Sequence, residues 1–257
     1  MTTTLAPTVP SDRPSDRPAS PTAWNEPDGV APRGTLILLT GRGESAAAYA
    51  RFGRRIAADA YRVRVVELDL DDPGATADDV AALLADDDLP APRVLAGSDA
   101  GASFAAVLVH GGIAIDGLVL AGPATSQSLA DSPASLETEL DARSACPAHR
   151  RVLADDEAFE QGALGRRLPD SWQLDEASDL AAIAVPTLLV HGSDDPVTPV
   201  AAALESFGRA AEVRVVEGGR HDVLNDVSHR SVAAHVVLFL ERLRLGSDLP
   251  AIVREHL

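Results

Sequence analysis

The sequence predicts an α/β fold, a mostly parallel twisted sheet flanked by helices, and three observations carry that expectation. Short apolar runs recur along the chain, each bounded by turn residues, as buried parallel strands are. Segments of helical apolar spacing separate them, and parallel strands need such crossover connections. A chain of 257 residues, 46% of them apolar, can also bury one substantial core.

Residues 1–32 are rich in Pro, Ser, Thr and Asp and repeat Ser-Asp-Arg-Pro in tandem at Ser11–Pro14 and Ser15–Pro18. That composition buries too little apolar surface to order itself, so a disordered tail is expected, with Trp24 as the one residue able to dock on the body. Order is expected to begin at the strand Thr35–Thr40. A helix over Ser45–Ala60 follows, with Tyr49, Phe52 and Ile56 on one face. Next come a strand over Arg62–Asp69 and a helix over Thr76–Ala85, with Thr76 as its N-cap. The strand Val94–Ala96 runs into a glycine-rich turn, and a helix over Ala102–His110 leaves it. Leu118–Leu120 and Thr187–Val190 are further strands. Helix Val200–Phe207, strand Val213–Val216 and a closing helix over Ser231–Leu243 complete the core, which is assigned to residues 33–122 and 184–257. Residues 123–183 show no strand pattern, are acidic and polar with interspersed arginines, and are expected to form an inserted helical cap over the strand ends.

Charge and composition exclude several chemistries. Acidic residues outnumber basic ones by 39 to 22, which argues against nucleic acid and against anionic membranes, since both need a cationic face. No lysine occurs, so Schiff bases, pyridoxal anchors and phosphate-loop lysines are excluded. The single Cys146 cannot close an internal disulfide and has no activating motif. No run spans a membrane and no signal-peptide core precedes the first strand, so a cytoplasmic location is expected. No cofactor or metal motif is found. The expected partner is a small-molecule substrate, and oligomeric state is left open.

Three fragments carry the chemistry, each where a strand ends, which is where open α/β sheets place their sites. The first is Gly97-Ser98-Asp99-Ala100-Gly101, a strand-to-helix turn tight enough to need small residues two positions either side of its apex. Gly97 and Gly101 centre on Asp99, whereas Ala96 and Ala100 centre on Ser98. Both registers are sterically open, with glycine favouring Asp99. The second is His191-Gly192-Ser193-Asp194-Asp195-Pro196, whose Asp195 can fix the tautomer of an imidazole. Asp194 competes for that role or caps the turn, and His191 reads as a packing residue at the strand end. The third is Gly219-Arg220-His221-Asp222, whose His221 follows the other two in the order nucleophile, acid, base. Gly41-Arg42-Gly43-Glu44, after the first strand, would supply one oxyanion N–H from Arg42. Ala100 would supply the other, or Asp99 if Ser98 attacks.

Gly41–Glu44 with Tyr49, His191-Gly192 through Pro199, and Gly219-Arg220-His221-Asp222-Val223-Leu224-Asn225-Asp226 together resemble the lysophospholipase and monoacylglycerol-lipase branch of the α/β-hydrolases, over residues 34–244. The resemblance implies ester hydrolysis by a serine nucleophile, with Asp195 and His221 as its partners. Two departures stand out. Thr40-Gly41 replaces the family's His-Gly, and the glycines flank Asp99 rather than a serine.

The second departure decides the chemistry. Attack by Ser98 on an ester gives an acyl-enzyme. Attack by Asp99 on an acyl carbon gives a high-energy anhydride, so an aspartate suits saturated carbon, where it forms an alkyl-enzyme ester. Haloalkane dehalogenases and epoxide hydrolases of this fold resemble that arrangement. However, Ala100 replaces the dehalogenases' Trp after the nucleophile, and Tyr49 and Tyr61 lie outside the cap, where Trp172 is the only indole. The first expectation is therefore an ester or acyl hydrolase. Its alternatives are an Asp99-dependent hydrolase of alkyl carbon and a catalytically silent binding protein. The charged, aromatic-poor cap points to a small or soluble substrate rather than bulk lipid.

Overall fold

The computed structural model describes residues 22–128, 132–172, 174, 183–209 and 211–253. Its centre is a seven-stranded sheet built from β1 (Thr22–Trp24), β2 (Gly34–Leu39), β3 (Tyr61–Val66), β4 (Arg93–Ser98), β5 (Gly117–Ala121), β6 (Thr187–Gly192) and β7 (Glu212–Val216). The strands lie in the order β1-β3-β2-β4-β5-β6-β7. All pairings are parallel except β1 with β3. The expected α/β-hydrolase-type sheet is thus what forms.

Side-chain alternation splits the apolar residues between two cores. Leu36, Leu38, Val94, Ala96 and Val190 face α1 (Ala50–Ala58) and the long closing helix. Ile37, Leu39, Leu95, Leu120 and Leu189 face the other side, against Val80 of α2 (Pro73–Leu84) and Phe104 and Val109 of α3 (Ala100–His110). Between β5 and β6 the chain leaves the sheet for α4 (Leu136–Arg143) and α5 (Pro147–Asp155), followed by single helical turns at Ala163–Gly165 and Asp170–Trp172. Residues 129–131, 173 and 175–182 of this stretch lie outside the described residues. Two more helices, α6 (Val200–Phe207) and α7 (His229–Leu245), complete the chain.

From β2 the chain runs outward to β3, then returns across β2 to β4. This reversal opens a crevice at the carboxyl ends of β2 and β4, where an open α/β sheet binds its ligand. The loop Gly41–Glu44 follows β2, and the glycine-rich turn follows β4.

Two sequence expectations are corrected. Order does not wait for residue 33, because Thr22–Trp24 pairs antiparallel with Val63–Val65 at the sheet edge. The cause is Trp24, whose ring covers Gly53 of α1 so closely that a Cβ there would lie 2.2 Å from it. Residues 1–21 lie outside the described residues. Thr76 is not an N-cap. Pro73 opens α2, the Asp72 side chain accepts from Ala75 N, and Thr76 Oγ1 instead accepts from Asp69 N at 3.1 Å. Trp24→Ala should lower the free energy of unfolding by about 2 kcal/mol, read by urea denaturation, because it uncovers Gly53 and leaves the edge strand only backbone pairing.

Candidate active site

Asp99 sits at the apex of the strand-to-helix turn with φ 50° and ψ −121°, in the left-handed region that side chains rarely adopt. Such backbone strain is expected where a turn presents one side chain outward. The flanking glycines are obligatory: a Cβ on Gly97 would lie 2.3 Å from the Gly101 backbone, and one on Gly101 would lie 2.4 Å from the Thr40 carbonyl oxygen. The two open registers therefore close on Asp99. Ser98 remains the last residue of β4, paired with Ala121 and buried. Its side chain hydrogen-bonds the Tyr49 hydroxyl. The structure brings Asp99, not Ser98, to His221.

His221 lies in the loop after β7, and its Nδ1 meets Asp195 Oδ2 at 2.9 Å. Asp195 Oδ1 accepts from the backbone amides of Val197 and Thr198 at 2.8 and 3.0 Å, which fixes the carboxylate in its loop. Asp194, the competing carboxylate, is exposed and accepts only from Ser193 Oγ. His191 does more than pack: its Nε2 lies 3.3 Å from Asp195 Oδ2 and 2.9 Å from the Thr198 carbonyl. On its other side, His221 Nε2 lies 3.0 Å from Asp99 Oδ1, an ion-pair contact whose direction falls outside hydrogen-bond alignment.

Asp99 is also held by Arg42, in a way the sequence did not show. The Arg42 backbone N–H donates to Oδ2 at 2.9 Å, so the expected oxyanion amide is already occupied by the carboxylate. The Arg42 guanidinium adds a forked pair, Nε to Oδ2 at 2.8 Å and Nη2 to Oδ1 at 2.7 Å. Ala100, the second expected oxyanion residue, is buried as the first residue of α3. Gly41 does not serve as an oxyanion donor. Its N–H is taken by Tyr49 Oη and Glu44 Oε2, and its lack of a side chain instead lets Asp99 Cβ approach to 3.2 Å of where a Cβ would stand.

The family model for serine aminopeptidase, S33, matches residues 30–228. The chain belongs to this family of α/β hydrolases. It shares its fold with a monoacylglycerol lipase from Paleococcus ferrophilus (TM-score 0.65, 16% identity, 88% of this chain and 98% of that one). A monoglyceride lipase from Saccharomyces cerevisiae matches at TM-score 0.64 and 15% identity, over 94% of this chain and 98% of the other. The esterase RhEst1 from Rhodococcus sp. ECU1013 matches at TM-score 0.66 and 22% identity, over 86% and 94%. No curated protein matches the chain. The expected membership in the α/β-hydrolases is borne out by that family match. No helix among the described residues is long and apolar enough to cross a membrane.

The electrostatics of this hydrolase follow from its burial. Asp99, Arg42 and His221 are each at most 2% exposed. Burial pushes the Asp99 carboxyl up, but Arg42 and then His221 outweigh it and hold Asp99 well below the usual carboxylate range. Burial also opposes charge on His221, yet Asp195 and Asp99 on its two sides push its pKa up to about 10. The resting imidazole is therefore a cation between two carboxylates.

A second buried cluster, whose partners the motifs show only in part, supports the loop. Arg143 of α4 is wholly buried and donates from Nη2 to the Arg42 carbonyl and to Glu139 Oε1, at 2.7 and 3.0 Å. Its own carbonyl accepts from Asp222 N at 2.7 Å, so one residue of α4 ties the loop after β2 to the histidine loop. Glu44 accepts from Tyr49 Oη and Gly41 N. Burial, then Asp222, pushes Glu44 up to about 7; burial pushes Asp222 up to about 6 and His149 down to about 4. Glu44, His149 and Asp222 each offer a ligand atom within 4.8 Å of the others, but Arg143 Nη1 already lies 3.3 and 3.8 Å from Glu44 and Asp222 and meets their charge.

Arg42→Gln should cost about 3–5 kcal/mol of stability by denaturant titration, because it strands the Asp99 charge in the interior. Stability should also depend on pH through His221. Below pH 6.5 the group is protonated folded and unfolded alike, and its contribution is whole; that contribution fades as pH rises to about 10. Thermal unfolding across this window should show the loss in the wild type and a flatter profile in His221→Gln.

Proposed function

We propose that this chain hydrolyses small esters through Asp99 as nucleophile, with His221 and Asp195 serving the water step. What carries the reading is the placement of Asp99: strained apex, Oδ2 on the Arg42 amide, Oδ1 facing His221 Nε2. The family supports hydrolysis, and the absence of a serine at the apex selects the route.

In the first step Asp99 Oδ1 attacks the alkyl carbon of the ester. The carbon–oxygen bond breaks and the carboxylate leaves with the electron pair, taking the His221 proton. An Asp99–alkyl ester remains. In the second step neutral His221 takes a proton from water, whose oxygen attacks Asp99 Cγ. The negative charge gathers on Oδ2, already placed against the Arg42 amide and beside the first turn of α3, whose Ala100 N–H is the second candidate donor. Collapse expels the alcohol, protonated by His221, and the proton left on the new Asp99 carboxyl passes to His221, restoring both the carboxylate and the imidazolium. The net reaction consumes one ester and one water and yields one acid and one alcohol.

A second reading, a silent binding protein, is favoured by one observation: the Arg42 fork occupies both oxygens of the proposed nucleophile. One experiment separates the two. Wild-type enzyme is turned over once in water labelled with heavy oxygen, on a panel of short esters, haloalkanes and epoxides. The peptide containing Asp99 should gain the label, since water attacks Asp99 Cγ. Asp99→Asn should lose roughly a thousandfold or more of activity, and Ser98→Ala should stay within a few-fold of wild type. Turnover with label only in the product acid, or lost in Ser98→Ala, would overturn the aspartate route. Absence of turnover across the panel would favour the silent protein.

A further inference from the structure

Beside the Asp99 site lies a cavity of about 120 Å³ whose charge runs against that of the whole molecule. The chain carries 39 acidic and 22 basic residues, yet Arg42, Arg166 and Arg167 all line this cavity, and among the described residues Asp170 is the one acid in its lining. Arg166 is partly exposed and leans on surface acids, Asp71 at 2.6 Å and Glu160 at 3.7 Å. Arg167 is exposed and has no ion pair among the described residues. The apolar part of the lining includes Trp172, which stacks on Phe104 with ring centroids 4.5 Å apart.

Arg42 forms the wall between this cavity and Asp99. A guanidinium has five N–H groups. Two of those on Arg42 grip Asp99, and two on Nη1 reach the carbonyls of Leu164 and Arg166 at 2.6 and 2.9 Å. The second N–H of Nη2 has no partner among the described residues. Reaction at Asp99 Oδ1 requires the Nη2 bond to be given up, and a bare buried guanidinium is costly. An anion arriving from the cavity offsets that cost by giving Nη2 a new charged partner, and once Asp99 is alkylated to a neutral ester the buried charge count is the same as before.

We propose that this cavity binds a small substrate with an oxyanion head, a carboxylate or phosphate, on an apolar body, and that the head takes over Arg42 Nη2 and so frees Asp99 Oδ1. The freeing step rests on the reaction proposed above, whereas the binding does not. The competition it implies has a definite sign: the bound anion and Asp99 contend for one guanidinium.

Isothermal titration calorimetry tests this with benzoate, phenyl phosphate and the neutral benzyl alcohol as probes. Benzoate or phenyl phosphate should bind the wild type at least tenfold more tightly than benzyl alcohol, and the tighter of the two names the head. Arg166→Gln and Arg167→Ala should each weaken the anion by several-fold and leave benzyl alcohol unchanged. Asp99→Asn, checked for native circular dichroism, should bind the anion at least tenfold more tightly, because its neutral amide no longer competes for Arg42. If that variant does not fold, the two surface arginine variants carry the test. Equal affinity for anion and alcohol, or anion affinity indifferent to both Arg166→Gln and Arg167→Ala, would overturn the proposal. Anion binding without heavy-oxygen label at Asp99 would leave the anion site standing and remove only the reaction.

Discussion

A buried run of alternating charges, Arg42–Asp99–His221–Asp195, is the constraint around which the molecule is arranged. Each member comes from the loop after a different strand: β2, β4, β7 and β6 respectively. No member is stable in the interior alone, because an isolated buried charge costs far more than the fold can offset. Parallel strands solve the problem by ending at the same edge of the sheet, and the reversal between β3 and β4 leaves a gap there wide enough for four side chains. The strained backbone at Asp99 follows from the same requirement. Only a turn that tight brings the carboxylate above the sheet, between a guanidinium on one side and an imidazole on the other.

Behind the first row of charges stands a second that holds the backbone rather than the reacting groups. Tyr49 and Glu44 take the Gly41 amide, and Arg143 takes the Arg42 carbonyl, so both peptide groups flanking the loop's functional amide are pinned. Glu160 N donates to Gly43 O at 2.9 Å, which seats the 160–166 segment directly on the loop. The Arg42 side chain then reaches into that segment for its last acceptors. The 160–166 segment and the loop after β2 therefore share hydrogen bonds at the point where chemistry is proposed, and Arg42 is held from both sides.

The central strands β2, β4, β5 and β6 were legible because they are short, apolar and buried on both faces, a pattern that survives without tertiary information. The edge strand Thr22–Trp24 was not, because its composition is that of a tail and its order comes from Trp24 meeting Gly53, a contact no local pattern encodes. At the elbow the sequence held two registers open, since alanine and glycine are both small. What closes them is how near the Gly101 backbone and the Thr40 carbonyl come, a distance set only once β2, β4 and α3 pack. Arg42 was recognised for its amide alone. Its side chain lies 57 residues from Asp99 in sequence, and an arginine in a loop otherwise reads as surface charge. Glu44 and Asp222 stood inside the quoted motifs but were given no role there, and Arg143 and His149, on α4 and α5, lie in a segment without any motif.

The aspartate at the apex also alters what the histidine must do. A serine there would leave His221 beside one carboxylate and a neutral hydroxyl, and the imidazole would have to rest uncharged to take the hydroxyl proton. With Asp99 in place a second carboxylate lies 3.0 Å away, and the imidazole rests as a cation with its pKa near 10. A cation is a poor base, so the charge state that Asp195 and Asp99 favour suits His221 to giving a proton rather than taking one. The site can begin a reaction that consumes the negative charge of Asp99. Once that carboxylate becomes a neutral ester, one of the two charges holding the proton on His221 is gone, and the pKa falls toward the range where the imidazole accepts a proton from water. In the proposed reaction the nucleophile thus sets the timing of the base: the histidine is silenced while Asp99 is free and released when Asp99 is occupied. The same charge accounting explains why Arg42 must also let go, since a guanidinium gripping both oxygens stabilises the carboxylate against attack as firmly as it stabilises the fold.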